Sequence, residues 1–123
     1  MIEFSGVTPM LKTDDIPGTV EFYRDLLGFT VDTLWPETDP TLCILDRDAV
    51  HLIFLLDADW DAPGAPPTMT GQLSIDVSDV DGLHADLLGR VEILWGPETY
   101  DYGRREFSIR DCNGYRLVFS QLI

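Results

Sequence analysis

The sequence carries one pattern twice, as LCILDRDAVHLIF at residues 42–54 and as FSIRDCNGYRLVF at residues 107–119. The two stretches align without a gap at an offset of 65 residues. Each consists of an alternating run, a polar turn and a second alternating run, which is the pattern of a β-hairpin. Asn113 and Gly114 favour the turn in the second copy, and Asp48 favours it in the first, because these residues accept turn conformations readily.

The same series of elements precedes each hairpin. In the first copy a strand pattern at 7–13 leads through Asp15 and Pro17 into a helical stretch that ends at Gly28, and a strand follows at 29–34. An Asp cap, a Pro in the first turn and a Gly stop are usual at the ends of helices. The second copy repeats the series with a strand at 73–77, a cap at Asp79, an apolar stripe of Leu83, Leu87 and Leu88, a stop at Gly89 and a strand at 91–95.

The repeat therefore predicts an α+β fold of two βαβββ modules, at about 5–56 and 70–121, joined by a Pro-rich linker at 57–69. Each module alone is too small to close a core, so we expect one domain over 1–123. In this arrangement the curved mixed sheets form a cleft, and the helices lie on the outer face.

The charge of the chain limits its partners. The 22 acidic and 8 basic residues give a net charge of -14, which disfavours nucleic acid and anionic membranes and favours cations. Solubility is the simpler explanation of such a charge. The apolar stretch at 50–56 is too short to span a bilayer, and residues 1–5 lack the pattern of a signal peptide. Cys43 and Cys112 are too few for a disulfide framework, so we expect a soluble, cytoplasmic protein with reduced thiols.

Alternation along the strands assigns side chains to two faces of each sheet. Leu52 and Phe54 in the first copy, and Leu117 and Phe119 in the second, form apolar faces that we expect beneath the helices. The opposite faces are mixed, which suits the lining of a cleft. Alternation alone leaves a solvated face or a dimer contact equally open. By the same parity Cys43 is expected on the mixed face, without a basic neighbour to lower its thiol pKa, so we interpret it as structural.

Four stretches of the chain resemble one known superfamily. They are MLKTDDI at 10–16, VEFYRDLLGF at 20–29, REFSIRD at 105–111 and NGY at 113–115. They are similar to the vicinal-oxygen-chelate superfamily, which includes glyoxalase I, extradiol dioxygenases and bleomycin-resistance proteins. The resemblance covers essentially the whole chain and implies the same two-module fold. One fold hosts many functions, so the resemblance leaves the activity open.

The resemblance implies four positions at which the metal-dependent members hold a divalent ion. Here those positions are Thr8, Ile53, Gln72 and Val118. Only Gln72 offers a good ligand, because isoleucine and valine have no lone pair and threonine is a weak donor. Divalent ions need several converging oxygen or imidazole ligands. We therefore expect no metal and no other cofactor, and a metal-dependent glyoxalase-like lyase, isomerase or dioxygenase remains the alternative.

Within the superfamily, YGRREF at 102–107 resembles a segment of the bleomycin-resistance type. Those proteins lack the metal, are acidic, and bind a cationic glycopeptide in grooves formed by a dimer. This chain departs from the segment by one extra arginine and by Tyr102 where tryptophan is common, which leaves the ligand's identity open. The resemblance also implies a homodimer.

His51 and the aromatic residues have two interpretations each. His51 lies on the same predicted face as Ile53, where a lone ligand or a general base is conceivable. A cleft-lining histidine bonded to a neighbour is simpler, since no nucleophile is evident. Aromatic residues near the predicted openings suit stacking on a flat ligand, although each can equally cap the core or a subunit contact. They are Trp35, Trp60, Trp95, Tyr100 and Tyr102.

The leading functional hypothesis is metal-free binding and sequestration of a small aromatic or cationic molecule, with a bleomycin-type antibiotic as one candidate. No catalytic residue is expected. The residues expected to bind the ligand are Met10, Trp35, His51, Ile53, Trp60, Gln72, Ser74, Trp95, Tyr102, Glu106, Ser108, Arg116 and Val118.

Overall fold

The computed structural model describes residues 1–56 and 64–123, which divide into two compact units, Met1–Pro66 and Pro67–Ile123. The described part contains two helices and eight strands, and each unit has the order βαβββ. The elements are β1 (Met10–Thr13), α1 (Ile16–Asp25), β2 (Thr30–Trp35), β3 (Leu42–Arg47) and β4 (Val50–Leu56), then β5 (Leu73–Asp76), α2 (Val80–Leu87), β6 (Glu92–Tyr100), β7 (Arg104–Arg110) and β8 (Arg116–Leu122).

Each unit holds one four-stranded mixed sheet. The strand orders are β1-β4-β3-β2 and β5-β8-β7-β6. In each sheet the first pair is parallel and the other two pairs are antiparallel. The α+β class with two βαβββ modules is therefore confirmed.

Both helices begin with the same cap. Asp15 Oδ1 accepts a hydrogen bond from the backbone N–H of Gly18 at 2.9 Å, and Asp79 Oδ1 accepts one from Gly82 at 3.0 Å. These bonds satisfy amides that have no partner within the helix. A Cβ placed on either glycine would lie 2.3 Å from the Oδ2 atom of its Asp. The predicted Asp caps are confirmed, and in each the capping carboxylate lies close against a glycine three residues later.

The ends of the helices differ from the sequence prediction. α1 ends at Asp25, three residues before Gly28, which takes a positive φ of 70°. α2 ends at Leu87, and Leu88 has an extended backbone with φ −58° and ψ 126°. The helix therefore stops before Leu88, which is 62% exposed. Its assignment to the apolar stripe was wrong.

Each helix packs on one face of its own sheet. The ring of Tyr23 in α1 lies 5.2 Å from that of Phe54 and 5.4 Å from that of Phe29, and Tyr23 and Phe54 are fully buried. In the second unit, His84 of α2 packs edge-on against Phe107 at 5.3 Å. His84 is thus half-buried at the contact between α2 and its sheet.

The register of β3 reverses one prediction. Cys43 pairs directly with Phe54, whereas in the second unit Phe107 pairs with Phe119. Phe54 and Phe119 are 65 positions apart, but Cys43 and Phe107 are 64 apart, so the longer β7–β8 turn carries one extra residue. A slip of one residue moves every side chain of a strand to the other face. Cys43 therefore lies on the helix-covered face and is completely buried.

The lengths of β1 and β6 differ most from those predicted. β1 begins at Met10 instead of residue 7, and the residues before it are exposed or half-buried without regular structure. β6 runs on to Tyr100, well past Trp95, through two irregularities in its pairing with β7. Among the described residues, neither helix is long and apolar enough to cross a membrane.

Candidate functional site

The candidate site lies on the face of the second sheet that does not carry α2, which we call the second helix-free face. Phe107 packs on α2, so its neighbours Glu106 and Ser108 point to the opposite side. Ser108 pairs with Trp95 on one side and with Val118 on the other. The strand register therefore places six predicted ligand-binding residues on this one face, namely Ser74, Trp95, Glu106, Ser108, Arg116 and Val118.

Glu106 is a buried carboxylate, only 9% exposed. Its Oε1 accepts a hydrogen bond from the hydroxyl of Tyr102. This bond, followed by partial burial, raises the pKa of Tyr102 to about 12. Within the described ranges 1–56 and 64–123, Glu106 forms no ion pair with a basic side chain. A buried carboxylate of this kind is stabilised by any cation placed beside it.

Ser108 lies two residues further along the same strand and is completely buried. In the part of the chain that the structure describes, its Oγ atom has no hydrogen-bond partner. Buried polar atoms are nearly always hydrogen-bonded, and an unpaired one costs about 1–3 kcal/mol. Ser108 is therefore an unpaired polar group enclosed on the same side of β7 as Glu106.

An aromatic cluster, consisting of Trp95, Tyr100 and Tyr102, stands beside Glu106. The rings of Tyr100 and Tyr102 are stacked at 5.4 Å with an interplanar angle of 5°, and Trp95 meets Tyr100 edge-on at 6.2 Å. The hydroxyl of Tyr100 donates to Glu98 at 2.9 Å, which raises the pKa of that tyrosine. Tyr102 is 65% exposed, so much of its ring surface remains accessible. Such rings bind flat molecules and cations.

One further group on this face was missed by the sequence reasoning. Arg104 donates to Asp76 at 2.9 Å and to Ser120 at 3.1 Å, and it fixes the edge of the face next to Glu106. Arg104 lies two residues before Glu106 on the same alternating strand, and this spacing was the signal that could have identified it.

A pocket of about 620 Å³ lies in the second unit near the β7–β8 turn. It is lined by residues 67–72 together with Arg110, Gly114, Tyr115 and Arg116. Two predicted ligand-binding residues, Gln72 and Arg116, meet here. Arg110 was not predicted, because its contribution depends on how the segment 67–72 approaches the turn.

The predicted residues of the first unit share the corresponding face of their own sheet. Met10 pairs with Ile53, and both lie opposite the helix-covered Leu11 and Phe54. Trp35 and His51 lie on the same face by register, and Trp35 is 64% exposed. His51 Nδ1 lies 2.7 Å from Asp46 Oδ1, which agrees with the simpler interpretation of a histidine bonded to a neighbour. Trp60 lies outside the described residues.

The positions implied for a divalent metal do not fit one. Thr8 precedes β1 and is exposed, and Ile53 and Val118 present only hydrocarbon. This leaves Gln72 as the single good donor among the four. Elsewhere in the described chain, no three His, Cys, Asp or Glu side chains are grouped so that they could hold a metal ion. We therefore derive no metal-dependent step for this site.

Comparisons with known proteins agree with the fold. The chain is similar in structure to TioX from Micromonospora sp. ML1, with a TM-score of 0.81, 19% identity and coverage of 98% of this chain and 100% of that one. It is also similar to a virulence protein from Salmonella typhimurium, with a TM-score of 0.75, 22% identity and full coverage of both chains. A lactoylglutathione lyase from Agrobacterium tumefaciens has a TM-score of 0.69 at 19% identity, covering 95% of this chain and 93% of that one.

No curated protein sequence matches the chain significantly. A family model does match, and it covers residues 7–119, which is nearly the whole sequence and both βαβββ modules. The chain therefore belongs to the Glyoxalase/Bleomycin resistance protein/Dioxygenase superfamily.

Proposed function

We propose that the chain binds and sequesters a small aromatic cation without the help of a metal ion. The observation that carries this proposal is the carboxylate of Glu106, which is buried, bonded to Tyr102, and without an ion pair among the described residues. Charges interact more strongly away from water, so a ligand cation beside Glu106 would be attracted more strongly than one beside an exposed carboxylate.

The neighbouring groups support a flat ligand. The aromatic cluster presents ring surface next to the carboxylate, and stacked or edge-on aromatic contacts contribute roughly 0.5–1.5 kcal/mol each beyond the area they bury. A cation over these rings gains a similar amount.

The net charge of -14 favours the same class of ligand. A field of this sign raises the local concentration of cations and speeds their association at low ionic strength. It also predicts that the rate of association falls as salt is added.

The test is isothermal titration with two cationic probes, bleomycin and the planar dye proflavine. We expect saturable binding of at least one probe. Glu106→Gln should weaken that binding by about tenfold or more, because the variant loses the charge that is held away from water. The matched control is Glu21→Gln, which makes the same chemical change on the exposed side of α1 and should leave affinity within about twofold.

Two outcomes count against the proposal. One is the absence of heat with both probes under conditions in which a calibrated cation-binding protein responds. The other is equal affinity in wild type and Glu106→Gln. Stoichiometric metal in protein purified without chelator would replace the proposal with the metal-dependent lyase or dioxygenase alternative.

We also propose that the chain forms a homodimer. Several apolar side chains before β1 are almost fully exposed in the single chain, and water-exposed groups of this kind are commonly covered in an assembly. They are Met1, Ile2, Phe4 and Val7.

A further inference from the structure

The pocket near the β7–β8 turn has a local charge opposite to that of the chain. The protein has 22 acidic and 8 basic residues, yet the pocket is lined by two arginines, Arg110 and Arg116, and none of its lining residues is acidic. A lining drawn at random from this composition would be negative. The local reversal of charge indicates an anionic occupant.

The two arginines have different partners. Arg110 is held in place, because its Nη1 donates to the carbonyl of Gly114 at 3.1 Å and its Nε lies 3.3 Å from Glu92 Oε2. Arg116 is exposed, and across the described residues its guanidinium has neither a hydrogen bond nor an ion pair. Arg110 therefore shapes the wall, and Arg116 keeps its full hydrogen-bonding capacity for a ligand.

The remaining lining supplies both polar and apolar surface. Thr68, Thr70 and Gln72 bring hydroxyl and amide groups, while Pro67, Met69 and Tyr115 bring hydrocarbon. At about 620 Å³ the pocket falls within the usual size range of small-molecule sites. An ion alone would leave most of this volume unused, so the anion is carried on a larger body.

We propose that this pocket binds the oxyanion group of a small molecule that also has an apolar body. A planar guanidinium forms bidentate hydrogen bonds with carboxylate and phosphate oxygens, and Arg116 would bind the oxyanion in this way. The two arginines lie on the same helix-free face as Glu106 but towards the other end of β7 and β8, and the inference does not depend on the function proposed above.

The test is titration of the full-length protein with three naphthalene probes, followed by ¹H–¹⁵N NMR. The probes are 2-naphthoate, 2-naphthyl phosphate and the neutral 2-naphthamide. We expect at least one anion to bind about tenfold tighter than the amide, because the amide lacks the charge that pairs with arginine. Chemical shift changes should be largest at residues 68–72 and 110–116. The tighter of the two anions identifies the preferred oxyanion.

Arg116→Gln should weaken binding of the tighter anion by about fivefold or more. The control is Arg24→Gln, which makes the same charge change at an exposed position on α1 of the other unit and should alter affinity by less than about twofold. Arg116 is exposed, so the variant is expected to fold. The proposal is overturned if naphthoate, naphthyl phosphate and naphthamide bind alike, if none binds, or if both arginine variants lose affinity equally. Shift changes confined to Trp95 and Tyr102 would assign the probes to the aromatic cluster and would also overturn it.

Discussion

Replacing Gly96 with alanine should destabilise the sheet that carries Glu106. Gly96 lies in β6 with φ 81°, a conformation that strains a residue with a Cβ. A Cβ at this position would lie 2.5 Å from the carbonyl oxygen of Glu106 and 2.8 Å from the Cα of Phe107. Ordinary contact begins at 3.4 Å, so the backbone of β7 would have to move by nearly 1 Å. We expect Gly96→Ala to lower the free energy of unfolding by about 3 kcal/mol, of which about 1 comes from φ and the rest from crowding.

Gly103→Ala separates the cost of a positive φ from the cost of crowding. Gly103 has φ 88°, but no atom lies within 4 Å of its virtual Cβ. Its replacement should therefore cost about 1 kcal/mol, from the backbone conformation alone. The free energy of unfolding of both variants is measured by urea denaturation followed by far-UV circular dichroism. The two values can be compared directly if the variants have similar m-values. If the two variants lose equal stability, the close approach of Gly96 to β7 has no energetic consequence and the reasoning fails.

Three further results are expected. The pKa of Tyr102 is raised to about 12, so the stabilisation from its bond to Glu106 should be complete below pH 10 and lost as pH rises through 12. Absorbance titration at 295 nm should show that Tyr102→Phe removes a tyrosine that ionises near pH 12, and loss of one that ionises near pH 10 would contradict this. Burial raises the pKa of the Cys43 thiol to about 11. Ellman's reagent at pH 8 should therefore label only Cys112 in native protein and both thiols in denaturant. Rapid labelling of both thiols in native protein would contradict this. Light scattering should give twice the 13.9 kDa chain mass, and the monomer mass at working concentration would remove the dimer proposal.

The parts of the fold that could be predicted from the sequence are those set by local chemistry. The Asp15 and Asp79 caps and the β7–β8 hairpin depend on residues close together in the chain, and their side-chain types identify them. The buried face of Leu117 and Phe119 followed from strict alternation along one strand. Each of these inferences needs only a few neighbouring residues.

The parts that could not be predicted depend on register or on distant segments. The two hairpins align in sequence without a gap, although the β7–β8 turn holds one residue more than the β3–β4 turn. The prediction therefore assigned Cys43 to the wrong face of its sheet. The role of Arg110 depends on the segment 67–72, some 40 positions earlier in the chain, and no short pattern reveals that approach. Both failures have the same cause, since pairing between separate segments is decided by packing instead of by neighbouring side chains.

The helix caps give the two modules a shared signature. In each, Oδ1 of an aspartate accepts a hydrogen bond from the amide of a glycine three residues later, and Oδ2 lies 2.3 Å from the place where a Cβ on that glycine would be. The contact is with the end of a flexible side chain, so a larger residue at Gly18 or Gly82 would make the carboxylate rotate and would weaken the cap without disrupting the fold. The recurrence of aspartate and glycine at 15–18 and again at 79–82 consequently marks the start of each half of the repeat.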